Sequence, residues 1–432
     1  MKKTIITNAT VITVNAANEV IENGAIAFEG NKITYVGVTP EDLTGYDQVI
    51  DGKNKFVLPG LINTHGHVGM SLLRGYADDL PLQQWLEDKM WPLEAQFTAD
   101  HVKWGAYLSI VEMIRTGTTT FVDMYDHMDQ VAQAVQDSGM RARLCRGMIG
   151  FCSEEERQAK LREATQFARN WHNQADGRIT VMMSPHAPYT CTPDFINQIL
   201  ERAHELDLPM HIHMSETAWE VEQNVKDYGV RPVAHLENLG VFSRPTLVAH
   251  AVHLTDEEID VLAKYNVRVS HNVVSNLKLA SGVARVPEML SKGVSVSLGT
   301  DSSASNNNLN LFEELKLAAI LHKGVRNDPV AVPAEDALRM ATILGADGVF
   351  QKETLGSLEV GKQADIIMLD SAQAHFHPAH NPISHVVYAA NGRDVTDTIV
   401  AGEWIMRNRE LLTVDEEKVI YEANRMFDSL KR

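Results

Sequence analysis

The sequence predicts an α/β protein in which a TIM-like (β/α)8 barrel carries a small composite β-sandwich domain built from both termini. Three observations predict this architecture. Eight short β-branched or apolar runs recur in the middle of the chain, each followed by a helix-like segment, which is typical of a parallel sheet covered by helices. Strand-like segments with turn signals lie at both ends of the chain. The length of 432 residues suits one large barrel with an appendage.

The two ends of the chain share a β-rich pattern. Near the N-terminus the chain reads TIITNATVITVN, and AIAFEG meets NKITYVG at a Gly-Asn pair that indicates a hairpin. Towards the other end come GKQADIIMLD, HVVYAANG and VTDTIVAGEWIMRN, then a stretch with helical spacing of apolar residues, VDEEKVIYEANRMFDSLKR. We therefore expect the first part of a β-domain over 1–56, the barrel over 57–357, and the second part with a terminal helix over 358–432.

The eight runs of the middle segment end in polar residues. In chain order they are KFVLPGLINTHGH, TTTFVDMYDH, RARLCRGMIG, RITVMMSPHAP, LPMHIHMSE, TLVAHAVHL, VRVSHNVV and VSVSLGTDSS. In a (β/α)8 barrel the reactive side chains stand at the carboxyl ends of the strands. The polar ends of these runs are therefore the place to look for chemistry.

Composition excludes several classes of function. The formal net charge of −18 argues against a nucleic-acid-binding surface, which needs clustered Lys and Arg, but it permits a small nucleoside-like substrate. The three cysteines form no CxxC pair and are too few for a disulfide framework, so we expect a reducing, cytoplasmic location. No apolar run approaches the length of a membrane span, so we expect no membrane partner. The sequence does not decide the oligomeric state, and a homo-oligomer is one of the possibilities.

Histidine and acidic residues recur at the predicted strand ends. They are His65, His67, His186, His213, Glu216, His250, His253, His271 and Asp301. A lone histidine at such a place is usually structural, but five strands that end in histidine indicate a site.

The motif His65-Gly66-His67 is the most specific of these features. Residues i and i+2 of a strand point to the same face, so both imidazoles can enter the barrel mouth. His213 and Asp301 would complete a set of three imidazoles and one carboxylate, which suits Zn²⁺ and leaves room for a water molecule.

Several motifs together resemble the amidohydrolase superfamily: PGLINTHGH, the strand ending HIHMSE, the aspartate of LGTDS, and GSLEVGKQADIIMLD near the C-terminus. Within it, GMSLLRGYADDLPLQQWLEDKMWPLE resembles the 5-methylthioadenosine/S-adenosylhomocysteine deaminases. Binuclear members of the superfamily carry a carboxylated lysine at the end of the fourth strand. Here that strand ends MMSPHAPYTC, without a lysine, so the resemblance implies one divalent metal ion, with Zn²⁺ favoured over iron or manganese.

The resemblance also implies the catalytic roles. Glu216 would protonate the ring nitrogen beside the attacked carbon, although a carboxylate at a helix N-terminus is the structural alternative. Asp301 would take a proton from the attacking water and pass it to the departing ammonia. Residues three apart cannot both face inward on a strand, so only one of His250 and His253 would steady the developing charge. The pair Ala249-His250 resembles the catalytic position of the family, which favours His250. His271 either lines the pocket or is a hydrogen-bonded wall residue.

Besides Glu216 and Asp301, which would also bind the substrate, four residues are candidates for recognising it. Glu94 resembles the carboxylate that accepts hydrogen bonds from the ribose 2′- and 3′-hydroxyls, and a helix-surface glutamate is its alternative. His186 can reach the ribose as well. Arg146 would form a fork with the carboxylate of an amino-acid tail, with Arg143 as its competitor and a surface ion pair as the alternative for either.

The expected function is metal-dependent deamination of the adenine ring of 5-methylthioadenosine and S-adenosylhomocysteine, giving the inosine analogues and ammonia. The first alternative is a deaminase or chlorohydrolase of another aromatic ring, such as guanine or a triazine, and only the pocket-wall residues separate the two. Glu94 and Arg146 favour the nucleoside. The second alternative, a catalytically dead scaffold, is disfavoured because His65, His67, His213, Glu216 and Asp301 are all present.

Overall fold

The computed structural model describes residues 2–430 and contains two sheets. Nine strands form the terminal sheet, whose path runs β17-β16-β15-β14-β5-β1-β2-β3, with β4 paired to β1. The N-terminal five are β1 (Lys3–Ile12), β2 (Val20–Glu29), β3 (Lys32–Val38), β4 (Gln48–Asp51) and β5 (Lys55–Pro59).

The second sheet contains eight parallel strands in chain order. They are β6 (Leu61–Asn63), β7 (Thr118–Tyr125), β8 (Arg141–Met148), β9 (Ile179–Pro185), β10 (Met210–Met214), β11 (Thr246–His250), β12 (Arg268–His271) and β13 (Val296–Leu298). The backbone hydrogen bond from Thr64 N to Leu298 O (2.9 Å) joins the chain after β6 to the last strand. The eight-stranded barrel predicted from the sequence is therefore confirmed.

The chain returns to the terminal sheet after the barrel. Its last strands are β14 (Ile366–Asp370), β15 (Val395–Val400), β16 (Glu403–Arg407) and β17 (Glu410–Leu411). Ile33 of β3 and Ile399 of β15 lie in one buried cluster although their strands are far apart in the sheet order, so the sheet bends around a core of its own. The composite domain built from both termini is thus confirmed.

Most of the described helices follow the barrel strands and cover them, and the last two follow strands of the terminal sheet. They are α1 (Leu82–Trp85), α2 (Trp91–Glu94), α3 (Ala99–Arg115), α4 (Met128–Ser138), α5 (Glu154–Trp171), α6 (Gln174–Gly177), α7 (Pro193–Glu205), α8 (Ala218–Tyr228), α9 (Pro232–Asn238), α10 (Asp256–Lys264), α11 (Val273–Lys278), α12 (Val286–Ser291), α13 (Leu311–Arg326), α14 (Ala334–Met340), α15 (Ile343–Gly348), α16 (Pro382–Ser384) and α17 (Glu416–Ser429). A 3₁₀ turn at Val68–Leu73 and a π-helical turn at Leu86–Met90 lie between β6 and α3. Helix α17 is the predicted terminal helix, and Lys431 and Arg432 of that prediction lie outside the described residues.

Gly60 separates the two sheets within the first apolar run. The run KFVLPGLIN contributes β5 to the terminal sheet and β6 to the barrel, so the expected division between residues 56 and 57 falls inside β5. A Cβ atom on Gly60 would lie 2.1 Å from the hydroxyl oxygen of Thr119 in β7. Only glycine therefore lets the chain between β5 and β6 pass so close to β7. We propose that the boundary between the domains lies at Gly60.

A buried ion pair ties the two sheets together. The Arg141 guanidinium at the start of β8 donates to both oxygens of Asp365, at 2.8 and 3.1 Å. Asp365 Oδ1 also accepts from the backbone N–H of Ala401, beside β15. Because this carboxylate is bound from both sides, the terminal sheet is fixed at the amino ends of the barrel strands, away from the polar strand ends.

Within residues 2–430, no helix has the length and apolar character needed to cross a membrane.

Candidate functional site

A cavity of about 680 Å³ opens at the carboxyl ends of the barrel strands. Most of the polar residues predicted at the strand ends line it, together with an apolar cover from the segment between β6 and α3. The polar lining includes His67, Glu94, Arg146, His186, His213, Glu216, His250 and Asp301. The apolar cover includes Leu82, Trp85, Leu86 and Trp91.

Three histidines present one ring nitrogen each to a common point and use the other as a hydrogen-bond donor. His67 Nδ1 is 2.6 Å from Met124 O, and His213 Nδ1 is 2.7 Å from His186 O, so each ring donates from Nδ1. His65 Nδ1 contacts His211 Nε2 at 2.9 Å, and His211 Nδ1 in turn contacts Leu247 O. These bonds fix a proton on each Nδ1, so the Nε2 atom of each ring is the one that points to the centre and can bind a cation.

The free nitrogens lie close together. His213 Nε2 is 3.4 Å from His67 Nε2, and Asp301 Oδ1 lies 3.2 Å from His67 Nε2 and 3.5 Å from His65 Nε2. His65 Nε2 is fully buried and has no hydrogen-bond partner. Burial, and then the neighbouring histidines, hold the pKa of His65 and of His213 well below the usual range, so both rings are neutral. Burial disfavours a charge on His67, but the hydrogen bond to Asp301 outweighs that effect and raises the pKa of His67 to about 9, so without an ion its Nε2 carries a proton. A divalent cation can replace that proton, and the donor set fits such an ion.

Asp301 is held in a backbone conformation that few residues adopt. Its φ angle is +60°, and its backbone N–H donates to His65 O at 3.0 Å. Its Oδ2 atom accepts hydrogen bonds from the hydroxyls of Ser275 (2.6 Å) and Ser305 (2.9 Å), which leaves Oδ1 facing the histidines. Strained backbone of this kind is held in place by surrounding contacts and clusters at functional sites.

Glu216 and His250 meet beside the histidine set. Glu216 Oε2 is 3.6 Å from His250 Nε2, and both side chains are buried. Burial and, after it, the charge of Asp301 raise the pKa of Glu216 to about 8. His250 Nδ1 contacts Asn276 Oδ1 at 2.8 Å, so the Nε2 atom is the one left facing the cavity.

Glu94 lies on another part of the cavity wall and is buried rather than exposed on a helix. The Tyr125 hydroxyl donates to Glu94 Oε1 at 2.5 Å. Burial raises the pKa of Glu94, and the hydrogen bond from Tyr125 opposes that effect. The ring of Tyr125 rests over Gly69, where a Cβ atom would lie 2.2 Å from a ring carbon.

Arg146 lines the cavity, but acidic side chains already hold it. Its Nη2 atom is 3.1 Å from Asp126 Oδ1, its Nε is 3.1 Å from Glu163 Oε2, and Nη1 donates to Gly147 O. The competitor Arg143 is buried elsewhere, with its guanidinium 5.5 Å from the ring centre of Phe350. Of the two arginines, only Arg146 can meet a ligand in the cavity.

Of three other histidines predicted at strand ends, one lines the cavity and two lie outside it. His186 Nδ1 contacts Thr190 Oγ1 at 3.0 Å, and the ring lines the cavity. His253 Nε2 contacts Ser281 O, so this ring is used structurally. His271 packs against His322 at 5.5 Å between ring centres, outside the cavity, and neither of its ring nitrogens has a hydrogen-bond partner. His271 therefore neither lines the cavity nor forms a hydrogen bond as a wall residue, so both predictions for it are wrong.

Two contributing residues were not anticipated from the sequence. His211 supports His65 and stands two residues before His213, so the HIH motif carried the same i, i+2 signal as His65-Gly66-His67. Tyr125 ends strand β7 with its hydroxyl at Glu94, and its place at a strand end was the available signal.

Residues 56–405 match the sequence profile of the Amidohydrolase family. The chain belongs to the amidohydrolase family. The matched residues contain all eight barrel strands and the histidine set described above.

Several individual proteins are similar to this chain over nearly its whole length. The amidohydrolase is 50% identical over 427 residues to the 5-methylthioadenosine/S-adenosylhomocysteine deaminase of Halalkalibacterium halodurans, covering 98% of this chain and 97% of that one. It is 35% identical to the structure of an adenosine deaminase from Xanthomonas campestris with bound zinc, with a TM-score of 0.93, covering 99% and 98% of the two chains. The structure of a zinc-bound atrazine chlorohydrolase from Arthrobacter aurescens TC1 is 25% identical, with a TM-score of 0.92, covering 98% and 100%.

Proposed function

We propose that this amidohydrolase catalyses metal-dependent hydrolytic deamination of the adenine ring of 5-methylthioadenosine and S-adenosylhomocysteine, releasing the inosine analogues and ammonia. One observation carries the proposal: a single cavity contains a histidine/aspartate donor set, the buried acid Glu216 and the buried carboxylate of Glu94. The 50% identity to a deaminase of these substrates supports it.

The residues that would hold the metal are His65, His67, His213 and Asp301, and the ion is a single Zn²⁺. The orphaned Nε2 atom of His65 and the convergence of the other donors support this assignment. Strand β9 ends at Pro185 and leads to His186, so no lysine stands there to bridge a second ion. When bound, the ion lowers the pKa of a water molecule and makes hydroxide available near neutral pH.

Glu216 acts as the general acid. Its raised pKa of about 8 keeps the carboxyl protonated at neutral pH, so it can deliver that proton to the ring nitrogen beside the carbon that bears the amino group. Protonation of this nitrogen makes the carbon electrophilic, so that water can add to it. The buried position of Glu216 beside His250 prevents bulk water from supplying the proton instead.

Asp301 deprotonates the attacking water, and His250 orients it. Burial disfavours the charge of Asp301, but its hydrogen bond with His67 and the nearby histidines outweigh that effect and lower its pKa, so Asp301 is a carboxylate at neutral pH. It accepts a proton from the attacking water and passes it to the amino group, which leaves as ammonia. The remaining hydroxyl proton returns to the Glu216 carboxylate as the carbonyl group of the inosine analogue forms. His250, fixed by Asn276, lies within 4.8 Å of the donor atoms of His65 and Asp301 and orients the same water.

The remaining cavity residues select the substrate. Glu94, fixed by Tyr125, accepts hydrogen bonds from the ribose hydroxyls, and His186 lines the same cavity and contacts the sugar as well. Arg146 faces the tail of the substrate, where a carboxylate would share the guanidinium with Asp126 and Glu163. The apolar cover over the cavity suits the adenine base and the thioether.

A substrate panel tests the proposal. Purified protein loaded with zinc is assayed for ammonia release from 5-methylthioadenosine, S-adenosylhomocysteine, adenosine, guanine and a chlorotriazine. We expect the two thioether nucleosides to have the highest kcat/KM. Turnover of guanine or the triazine, with no activity on any adenosine, would show that the site acts on a ribose-free ring and that Glu94 has another role.

A further inference from the structure

Glu220 has the sequence position of an ordinary helix cap. It is the third residue of α8, and Thr217 is the N-cap, so Thr-Ala-Trp-Glu reads as a capping box. In such a box the N-cap side chain accepts from the N–H of the third residue, and the glutamate accepts from the N–H of the N-cap. The first half is present, because Glu220 N donates to Thr217 Oγ1 at 3.1 Å.

The carboxylate of Glu220 binds residues outside the helix instead. Ser215 N donates to Glu220 Oε1 at 2.8 Å, and Glu216 N donates to Glu220 Oε2 at 2.7 Å. Each oxygen therefore holds one of two successive peptide groups before the N-cap. Glu220 is 0% exposed, so water does not compete for these bonds.

Two other helices of the same chain show the ordinary arrangement. Glu156 accepts from the N–H of its own N-cap Ser153 at 2.8 Å, and Glu258 accepts from the N–H of its own N-cap Thr255 at 2.8 Å. Helix capping alone would place Glu220 on the N–H of Thr217. The difference indicates a use for Glu220 beyond the start of α8.

The turn that Glu220 holds is strained and is fixed from its other side as well. Ser215 is buried with φ at +52°, a conformation that costs free energy for a residue with a side chain. Its carbonyl oxygen accepts from Val252 N and His253 N, both at 3.0 Å. The peptide that carries Glu216 is thus clamped between Glu220 and the loop after β11.

We propose that Glu220 is a positioning residue for the proton donor Glu216, and this inference rests on the proposed function. By fixing both N–H groups of the strained turn, Glu220 sets the direction in which the Glu216 side chain leaves the backbone. A displacement of about 1 Å can cost on the order of 10²-fold in rate, so the clamp acts on turnover rather than on metal or substrate binding.

The first test replaces Glu220 by glutamine. Glu220→Gln keeps the size of the side chain, but its amide offers one acceptor oxygen and turns an N–H₂ group towards the other backbone N–H. We expect kcat on 5-methylthioadenosine to fall about 10- to 100-fold, with KM and zinc content unchanged. The matched control is Glu156→Gln, which alters an ordinary capping box and should leave kcat unchanged.

A double-mutant cycle separates positioning from general support of the fold. If Glu220 acts only through the Glu216 carboxyl, the Glu220→Gln change should cost nothing further in a Glu216→Gln background. Losses that multiply would show that Glu220 supports the site in another way and would overturn the proposal.

The remaining outcomes are distinguishable. Wild-type protein that is inactive on every adenosine would reject the proposed function, whereas an active wild type with an equally active Glu220→Gln variant would reject only the clamp. If the glutamine variant does not fold, Glu220→Asp replaces it, because aspartate keeps both oxygens but is shorter and must pull the turn towards α8. A lower kcat at unchanged KM and zinc content supports the proposal, and a wild-type kcat or a parallel loss of zinc overturns it.

Discussion

The Nε2 atoms of His67 and His213 lie 3.4 Å apart, although each ring has already committed its Nδ1 proton to a backbone carbonyl. His213 is neutral, whereas the burial of His67 is outweighed by its hydrogen bond to Asp301, which raises the pKa of His67 to about 9, so without an ion a proton stands on His67 Nε2. A metal cation can take the place of that proton, and Asp301 Oδ1 and His65 Nε2 supply further donors at the same point. The tautomers imposed by the surrounding backbone thus prepare the site for a metal.

Removing a donor should remove the metal but not the fold. His65→Ala and Asp301→Ala should both lose tightly bound metal and activity, because the donors lie at the barrel mouth whereas the buried core lies below it. Elemental analysis and circular dichroism of the purified variants measure metal and fold. His253→Ala is the matched control, since its ring binds Ser281 O instead, and full occupancy in either donor variant would refute the ligand assignment.

Replacing the proton donor should abolish turnover while substrate still binds. Glu216→Gln keeps the shape of the side chain but removes the transferable proton, so kcat should fall about 10²- to 10⁴-fold with metal content unchanged. Single-turnover kinetics and substrate titration separate the two effects. A kcat near the wild-type value would leave Glu216 as a carboxylate at the start of α8.

The pH dependence of kcat/KM in the wild type is an independent test of Glu216 as the proton donor. Because Glu216 must be protonated to act and its pKa is raised to about 8, kcat/KM should decline as the pH rises through that value. A profile that stays flat well above pH 8 would mean that another group supplies the proton.

The Tyr125 hydroxyl should matter for every substrate that contains a ribose. Tyr125→Phe removes the bond that orients Glu94, and a hydrogen bond to a charged group contributes about 1.5–3 kcal/mol, so kcat/KM should fall roughly 10- to 150-fold for both thioether nucleosides. Glu94→Ala should give at least the same loss. A 2′,3′-dideoxy analogue of the substrate serves as the control, because it lacks the hydroxyls that Glu94 binds. Equal losses on the analogue would show that Tyr125 only packs against Gly69.

Arg146 should distinguish the charged substrate from the uncharged one. Arg146→Met should lower kcat/KM for S-adenosylhomocysteine about 10- to 150-fold and largely spare 5-methylthioadenosine, which has no carboxylate. Asp126 and Glu163 share the guanidinium, so a value near the lower end is expected. Steady-state kinetics with both substrates decide, and equal losses would make Arg146 a structural ion-pair partner.

Residues at strand ends could be predicted from the sequence because parallel strands bring their carboxyl ends to one mouth. The motif His65-Gly66-His67, the histidine at 213 and the aspartate at 301 lie far apart in the chain yet converge for that reason. Glu94 could be placed only by resemblance, since it ends helix α2 and its partner Tyr125 ends strand β7, 31 residues later.

Other features depend on packing that the sequence does not show. His271 follows Ser270, whose hydroxyl contacts Thr64 and Asn272 inside the barrel, so His271 points outwards to His322. Gly60 divides one apolar run between two sheets because of its contact with Thr119. Capping boxes are visible in the sequence, but only the geometry shows that Glu220 binds elsewhere.

The central claim is that zinc and these residues together deaminate adenosine thioethers. Its most direct test is the ammonia released from 5-methylthioadenosine by protein freed of metal with a chelator and then restored with one equivalent of zinc. We predict no release before the addition, and afterwards one ammonia for each inosine analogue formed. Full activity in the metal-free protein, or a zinc-restored protein that leaves 5-methylthioadenosine and S-adenosylhomocysteine unchanged, would contradict the claim.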